Sequence, residues 1–143
     1  MTEALFIGID VGTTAVKAAA YTAAGIQVAV ARQSVHVQRP QDGFSELSMT
    51  LLWDNVQLCL KDVVAEINPS DVRTIGVCGQ GDGLWMLDTH MQPVRNAILW
   101  NDARASQYVQ RWGDDGTSDA ISRYARTDIW PGTAGAALAW VQE

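Results

Sequence analysis

Apolar and polar positions alternate from the start of the chain. Leu5, Phe6, Ile7 and Ile9 lead to a single carboxylate, Asp10, and after Gly12-Thr13-Thr14 the alternation resumes through Val16, Ala18 and Ala20. Two such runs about a short polar tip predict a β-hairpin. After the Ala23-Ala24-Gly25 turn, Ile26, Val28 and Val30 alternate with Gln27, Ala29 and Ala31, which predicts a third strand continuing toward Val35 and Val37. Three strands joined by short turns imply an antiparallel meander at the start of a sheet.

The pattern then changes. Gln38 to Glu46 is polar, contains Pro40 and Gly43, and reads as a surface loop. Its Glu46 fits an exposed loop carboxylate or a charge at a helix start, with a substrate contact as the alternative. From Ser48, a fitting N-cap, Met49, Leu52, Trp53, Val56, Leu60, Val63, Val64 and Ile67 recur at three- and four-residue intervals until Asn68-Pro69. This is a helix with one packed face, on which Trp53 is expected in the core.

A strand follows over Thr74 to Cys78, then the loop Gly79-Gln80-Gly81-Asp82-Gly83 and a second apolar strand, Leu84 to Leu87. Three glycines around two polar side chains suit a backbone that something approaches closely, with Gln80 and Asp82 presented to it. A bulged connection in which Asp82 only solvates the turn would read the same way. Asp88 to Pro93 forms a turn, and Val94 to Trp100 a strand running into Asn101-Asp102, either of which could N-cap the helix through Tyr108, Val109 and Trp112. Gly113 to Thr117 breaks that helix. A short one follows from about Ser118 to Tyr124, and another after Trp130-Pro131-Gly132-Thr133 carries Ala136, Ala137, Leu138, Trp140 and Val141 up to the last residue, Glu143. A helix cut there suggests a truncated domain.

Composition narrows the function classes. The 143 residues suffice for one ordinary domain or a piece of a larger one, and a net charge of -6 argues against a nucleic-acid or anionic-membrane surface. Cys59 and Cys78 lie in apolar contexts without C-x-x-C spacing, so two buried free thiols are expected rather than a disulfide or zinc site. His36 and His90 have no partners in view and are expected at the surface. No leader pattern precedes the first strand and no apolar run reaches membrane-spanning length, which makes the cytoplasm the default.

Candidate chemistry starts at the first hairpin. A carboxylate placed just before an anion-binding turn repels phosphate unless a divalent cation lies between them, and Mg²⁺ prefers hard oxygen ligands and retained waters. Asp10 with Gly12, Thr13 and Thr14 therefore suggests a Mg-nucleotide, with Lys17 as a mobile positive charge. A hairpin whose Asp and Thr only satisfy turn hydrogen bonds would show the same string, so both readings stay open at this point.

Five segments taken together, GIDVGTTAVKAAAY, GFSELSMTLLW, IGVCGQGDGLWMLD, PVRNAILWNDARA and PGTAGAALAW, resemble in order and spacing the first part of a sugar kinase of the FGGY family. The resemblance spans nearly the whole chain. It implies an α/β fold, an actin-like (ribonuclease H-like) ATPase domain whose mixed sheet has an antiparallel three-strand start and flanking helices. Residues 1–143 would form the N-terminal part of the first of two such domains. It further implies ATP and Mg²⁺ as cofactors, with Asp10 at the metal and Gly12, Thr13, Thr14 and Lys17 forming the first phosphate loop. Gln80, Gly81, Asp82, Trp100 and Asp102 would fall at the pocket for substrate hydroxyls. The family's general base, an Asp, is expected beyond Glu143, so no catalytic residue is assigned within this chain, and the chain alone is expected to be inactive.

The glycerol kinase pattern has Arg-Glu after the Gln and a Tyr after the proline, where this sequence has Gly81-Asp82 and Gly132. Loss of a cation and an aromatic points away from glycerol. Pro131-Gly132-Thr133 and the Gly-Asp-Gly loop resemble the pentulose and tetritol branch, with xylulose, L-xylulose, ribulose or erythritol as candidates. The implied activity is ATP-dependent phosphorylation of a small sugar or polyol. Its alternative is an actin-like nucleotide-binding module without sugar kinase activity. The implied partner is the small-molecule substrate, with neither nucleic acid nor membrane, and at full length a homodimer stays open.

Overall fold

The computed structural model describes residues 3–143. In chain order the elements are β1 (Leu5–Val11), β2 (Ala15–Thr22), β3 (Gln27–Ser34), β4 (Glu46–Leu47), α1 (Met49–Ala65), a 3-10 turn (Pro69–Asp71), β5 (Val72–Gly79), β6 (Ala97–Ile98), α2 (Ser106–Asp114), α3 (Thr117–Ala125) and α4 (Ala134–Val141). They divide into two compact units. The first holds the chain up to His36 with Thr50–Gln80, and the second holds Val37–Met49 with Gly81–Glu143.

In the first unit the sheet order is β3-β2-β1-β5. β1 pairs antiparallel with β2, β2 antiparallel with β3, and β1 parallel with β5. The meander is the one the alternation predicts, and the mixed sheet is the one the family resemblance implies. A parallel partner for β1 needs a crossover connection, and α1 supplies it. Alternation decides the faces: Leu5, Ile7 and Ile9 of β1 and Val16, Ala18 and Ala20 of β2 are buried. Helix α1 buries Leu52, Val56, Cys59 and Val63 at helical spacing. The alanines at 18 and 20 leave room for the helix to come near, and the Cys59 thiol reaches the Val16 carbonyl at 3.5 Å. Burial pushes the Cys59 thiol pKa up, as expected of an inert core cysteine. The fully buried Val63 side chain contributes about 1.5–3 kcal/mol by leaving water.

Several expectations are corrected here. β3 ends at Ser34, short of Val35 and Val37. Its inward residue is Ala29, while Val28 and Val30 are exposed. The register explains this: a shift between Ala20 and Tyr21 pairs Tyr21 with Gln27 and Ala19 with Val30, placing Val30 on the face opposite the helix. Trp53, expected in the core, is 60% exposed, and Cys78, expected to be buried, is exposed. Cys78 lies on β5, which pairs only with β1 among the described residues, so its side chains lack neighbours on one flank.

Two edges and an open face have a solution consequence. Val77 is 71% exposed, and Ile75, Val28 and Val30 are exposed as well. Unpaired edges bearing β-branched residues recruit other chains. The 143-residue chain on its own is expected to self-associate, which light scattering coupled to size-exclusion chromatography would register as a mass rising with concentration. A stable monomer across that range would contradict it.

In the second unit β4 pairs antiparallel with β6, Glu46 opposite Ile98 and Leu47 opposite Ala97. One core cluster joins Leu84, Ile98 and Ala137, and another joins Ala105, Tyr108 and Ala136. The strands expected over Leu84 to Leu87 and Val94 to Trp100 are mostly not formed. What remains is β6 and two isolated bridges, Leu84 to Ile98 and Leu87 to Pro93. Inside the second bridge the expected turn forms, its Asp88 carboxylate accepting the His90 and Gln92 N–H groups at 2.8 Å each, and Pro93 has no N–H with which to extend a ladder. Helix α2 starts at Ser106 with Ala105 in the cap position, so neither Asn101 nor Asp102 caps it. Among the described residues no helix is long and apolar enough to cross a membrane.

Candidate functional site

In the first unit the β1–β2 hairpin carries the phosphate-site candidates. Gly12 N–H donates to the Ala15 carbonyl at 3.1 Å, closing the tip that holds Thr13 and Thr14. A side chain at Gly12 would sit 3.2 Å from that same carbonyl, so the turn favours glycine. The tip is tied down on both sides. Val35 N–H donates to Thr14 O at 2.9 Å, and Gln80 N–H donates to Val11 O at 3.2 Å.

Asp10 and Lys17 are cross-strand partners two residues back from the tip. Both line a cavity of about 570 Å³ on the sheet face opposite α1, with Gly8, Tyr21, Gly76 and Cys78 among the other residues. Gly8 and Gly76 face each other across β1 and β5, and a Cβ on either would meet nothing within 4 Å. The two glycines leave the floor of the cavity bare backbone. One anionic and one cationic side chain thus stand on an open surface beside a turn of backbone N–H groups. Among the described residues no group of three or more His, Cys, Asp or Glu side chains gathers as a metal cluster. A cation held at Asp10 would then draw its other ligands from phosphate and water, which is the mode suited to Mg²⁺.

Gln80 closes the first unit. Its side-chain Oε1 and Nε2 are both buried without a hydrogen-bond partner among the described residues. An amide left so costs about 1–3 kcal/mol unless something bonds it.

The remaining candidates belong to the second unit. Asp82 is exposed and has φ 54, a left-handed conformation that Asp tolerates better than most residues. Its carbonyl accepts the Trp85 indole N–H at 3.0 Å. Gly81 before it is exposed, and Gly83 after it has φ 79 and donates its N–H to Gly132 O at 3.0 Å. Both candidate turns therefore need their glycines, one for close approach and one for the sign of φ.

Trp100 sits at a turn closed by Asp102 N–H to Leu99 O at 3.0 Å. Its side chain is 45% exposed and its carbonyl accepts the Trp130 indole N–H at 3.0 Å. Gly132 lies against that carbonyl so closely that a Cβ would overlap it. Gly132→Ala is therefore expected to lower stability by about 1–3 kcal/mol, read as a shift in the urea midpoint, because backbone cannot yield as a side chain can. An unchanged midpoint would mean the turn has slack.

Asp102 stands differently from the other candidates. It is 2% exposed, and its carboxylate accepts the Ser45 N–H at 2.6 Å, the Arg104 N–H at 2.8 Å, and Arg104 Nε and Nη2 at 2.9 Å each. Arg104 Nη2 also meets Glu46 at 2.8 Å, and Glu46 pairs with Arg95 at 3.0 Å. The Arg104 guanidinium lies 4.0 Å from the Phe44 ring centre and 4.9 Å from that of Trp140. Burial alone would pull the Arg104 pKa down, but hydrogen bonds to Asp102 and Glu46 outweigh it and hold the pKa above its usual value. Glu46 is thus an ion-pair member in a strand rather than a free loop carboxylate. Sequence reasoning missed Arg104 entirely, since its partners lie two and 58 residues away and no spacing announces a pairing of that kind.

A model of the FGGY family of carbohydrate kinases, N-terminal domain, matches residues 5–143. A probable L-xylulose kinase of Pasteurella multocida is 29% identical over 140 residues, which is 96% of this chain and 29% of that protein. An L-xylulose/3-keto-L-gulonate kinase of Escherichia coli is 34% identical over 143 residues, again 96% of this chain and 28% of its own length. Among solved structures, a gluconate kinase from Lactobacillus acidophilus superposes with a TM-score of 0.92 at 27% identity, covering 99% of this chain and 29% of that one. The chain therefore spans under a third of the length of the relatives it matches.

Proposed function

Since the chain belongs to the FGGY family of carbohydrate kinases and matches its N-terminal domain, we propose that the full-length protein transfers the γ-phosphoryl group of ATP to a hydroxyl of a small sugar or polyol. The observation that carries this reading is the first hairpin: Asp10 and Lys17 face each other across the strands, beside a Gly12-Thr13-Thr14 tip, on one open cavity. Phosphoryl transfer asks the protein mainly for positioning and for charge stabilisation. Mg²⁺ would supply charge neutralisation at the phosphates when bound. Asp10 would orient it, the tip's N–H groups and the Thr13 and Thr14 hydroxyls would hold phosphate oxygens, and Lys17 would offset their charge.

On the sugar side, Gln80 offers a buried amide in need of a partner, Gly81 and Asp82 offer an exposed turn, and Trp100 offers an exposed ring. Asp82 would accept hydrogen bonds from hydroxyls, and Trp100 would cover an apolar ring or chain face. Gly81-Asp82 and Gly132 favour a pentulose or tetritol over glycerol. The general base belongs to residues outside this chain, which would form the N-terminal part of the first actin-like domain of a cytoplasmic enzyme. The test is ADP release by the full-length protein with ATP and Mg²⁺ across xylulose, L-xylulose, ribulose, erythritol and glycerol. Stimulation by a pentulose or by erythritol is expected. ATP turnover indifferent to every sugar would favour a nucleotide-binding module without kinase chemistry.

A further inference from the structure

The buried ion-pair cluster in the second unit is larger than a turn needs, and the residue at its centre has no role in the phosphate chemistry. Arg104 carries a side chain that is 1% exposed, donates to Asp102 and Glu46, and lies against the rings of Phe44 and Trp140, which meet edge to face at 89°. Asp102 in turn grips Ser45 N–H, while Ser45 O accepts Leu99 N–H at 2.9 Å. The segment from Leu99 to Asp102 is therefore clamped at both ends, with Trp100 presented between the clamps.

We infer that Arg104 is a positioning residue that fixes Trp100 for the substrate, and that Asp102 acts through it rather than by touching the sugar. The inference deepens the kinase reading and rests on it for the substrate. Three features carry it. The Asp102 carboxylate is already engaged by two backbone N–H groups and by a bidentate guanidinium, which leaves little capacity for a hydroxyl. Arg104 contributes a planar fork that bonds Asp102 bidentately while lying against two aromatic rings, which a lysine cannot reproduce. Trp100 is exposed while its flanking backbone is held by Ser45, Trp130 and Asp102, which is the arrangement of a pre-oriented contact rather than of a packed one.

The experiment uses full-length protein labelled with 5-fluorotryptophan, the Trp100 resonance being identified by its loss in Trp100→Phe. Wild type should give one sharp Trp100 line. Arg104→Lys should split or broaden that line, leave the Trp53 line unchanged, raise the sugar KM about tenfold, and move the ATP KM less than about twofold, since misplacing a contact costs binding without touching the nucleotide. If Arg104→Lys does not fold, Phe44→Leu removes one aromatic contact of the guanidinium while sparing both ion pairs, and the same changes are expected at about threefold in KM. A Trp100 line unaltered in these variants would overturn the inference. Asp102→Asn assayed with a series of deoxy sugars gives a second decision. Equal losses for every sugar support positioning, whereas a loss that vanishes for the sugar lacking one hydroxyl means direct contact and overturns it. If wild type phosphorylates no sugar, the kinase reading fails, yet the fluorine spectra still decide whether Arg104 holds Trp100.

Discussion

Asp10→Asn in the full-length protein is expected to lower turnover on the order of 10²-fold or more while leaving the sugar KM within about twofold. The side chain is exposed on the open face of β1, opposite the buried residues that pack on α1, so an isosteric change there removes a charge without disturbing the core. What it removes is the carboxylate that would orient Mg²⁺ beside the Gly12 turn. Lys17, its cross-strand partner, stays in place and still attracts phosphate. Nucleotide binding should therefore weaken less than catalysis. Steady-state kinetics at saturating ATP and Mg²⁺, with a circular dichroism spectrum matching wild type, measures the effect. Turnover near that of wild type would remove Asp10 from the metal site.

Asp82→Ala should produce the second-largest change, a fall of about ten- to hundredfold in kcat/KM for the sugar with an almost unaltered ATP KM. A hydrogen bond to a charged acceptor contributes about 1.5–3 kcal/mol, and the free carboxylate at the Gly81-Asp82-Gly83 turn has no ion-pair partner among the described residues. The turn itself depends on backbone rather than on the carboxylate, since the Asp82 carbonyl accepts Trp85 and Gly83 N–H bonds Gly132. Ala at φ 54 is strained compared with Asp, so a small loss of stability should accompany the kinetic one. Asp82→Asn separates the two effects because it keeps the left-handed preference and loses only the charge. Unchanged sugar kinetics in both variants would reduce Asp82 to a turn residue.

The first unit was legible in the sequence because its signals are local. Alternation over Leu5 to Ala20 marks a hairpin, and the 3.6-residue recurrence from Met49 to Val63 marks the helix that covers it. The parallel neighbour of β1 could not be read from periodicity, since β5 joins it from more than 60 residues away. The family resemblance implied a mixed sheet without naming the parallel pair. Burial expected of Trp53 and Cys78 is not found, for apolar identity says that a residue tends to be buried but not against what. In the second unit, side-chain chemistry displaced regular structure. Asp88 gathers the His90 and Gln92 N–H groups into a turn closed by an isolated bridge, and Asp102 bonds Ser45 and Arg104 instead of capping a helix. Such choices depend on partners brought near by the fold, and residue spacing does not contain them. Asp102, expected as a helix cap or, by the resemblance, at the substrate pocket, lies in an ion pair with Arg104.

The account's central claim is phosphoryl transfer to a sugar, and the most direct measurement is the fate of the label. Full-length protein is incubated with Mg²⁺, γ-³²P-labelled ATP and L-xylulose, xylulose, ribulose or erythritol, and the products are separated. The account predicts label in a phosphorylated pentulose or tetritol, abolished by chelating Mg²⁺ and lowered on the order of 10²-fold in Asp10→Asn. Label recovered only in inorganic phosphate, or in a sugar phosphate formed equally well by Asp10→Asn, would contradict it.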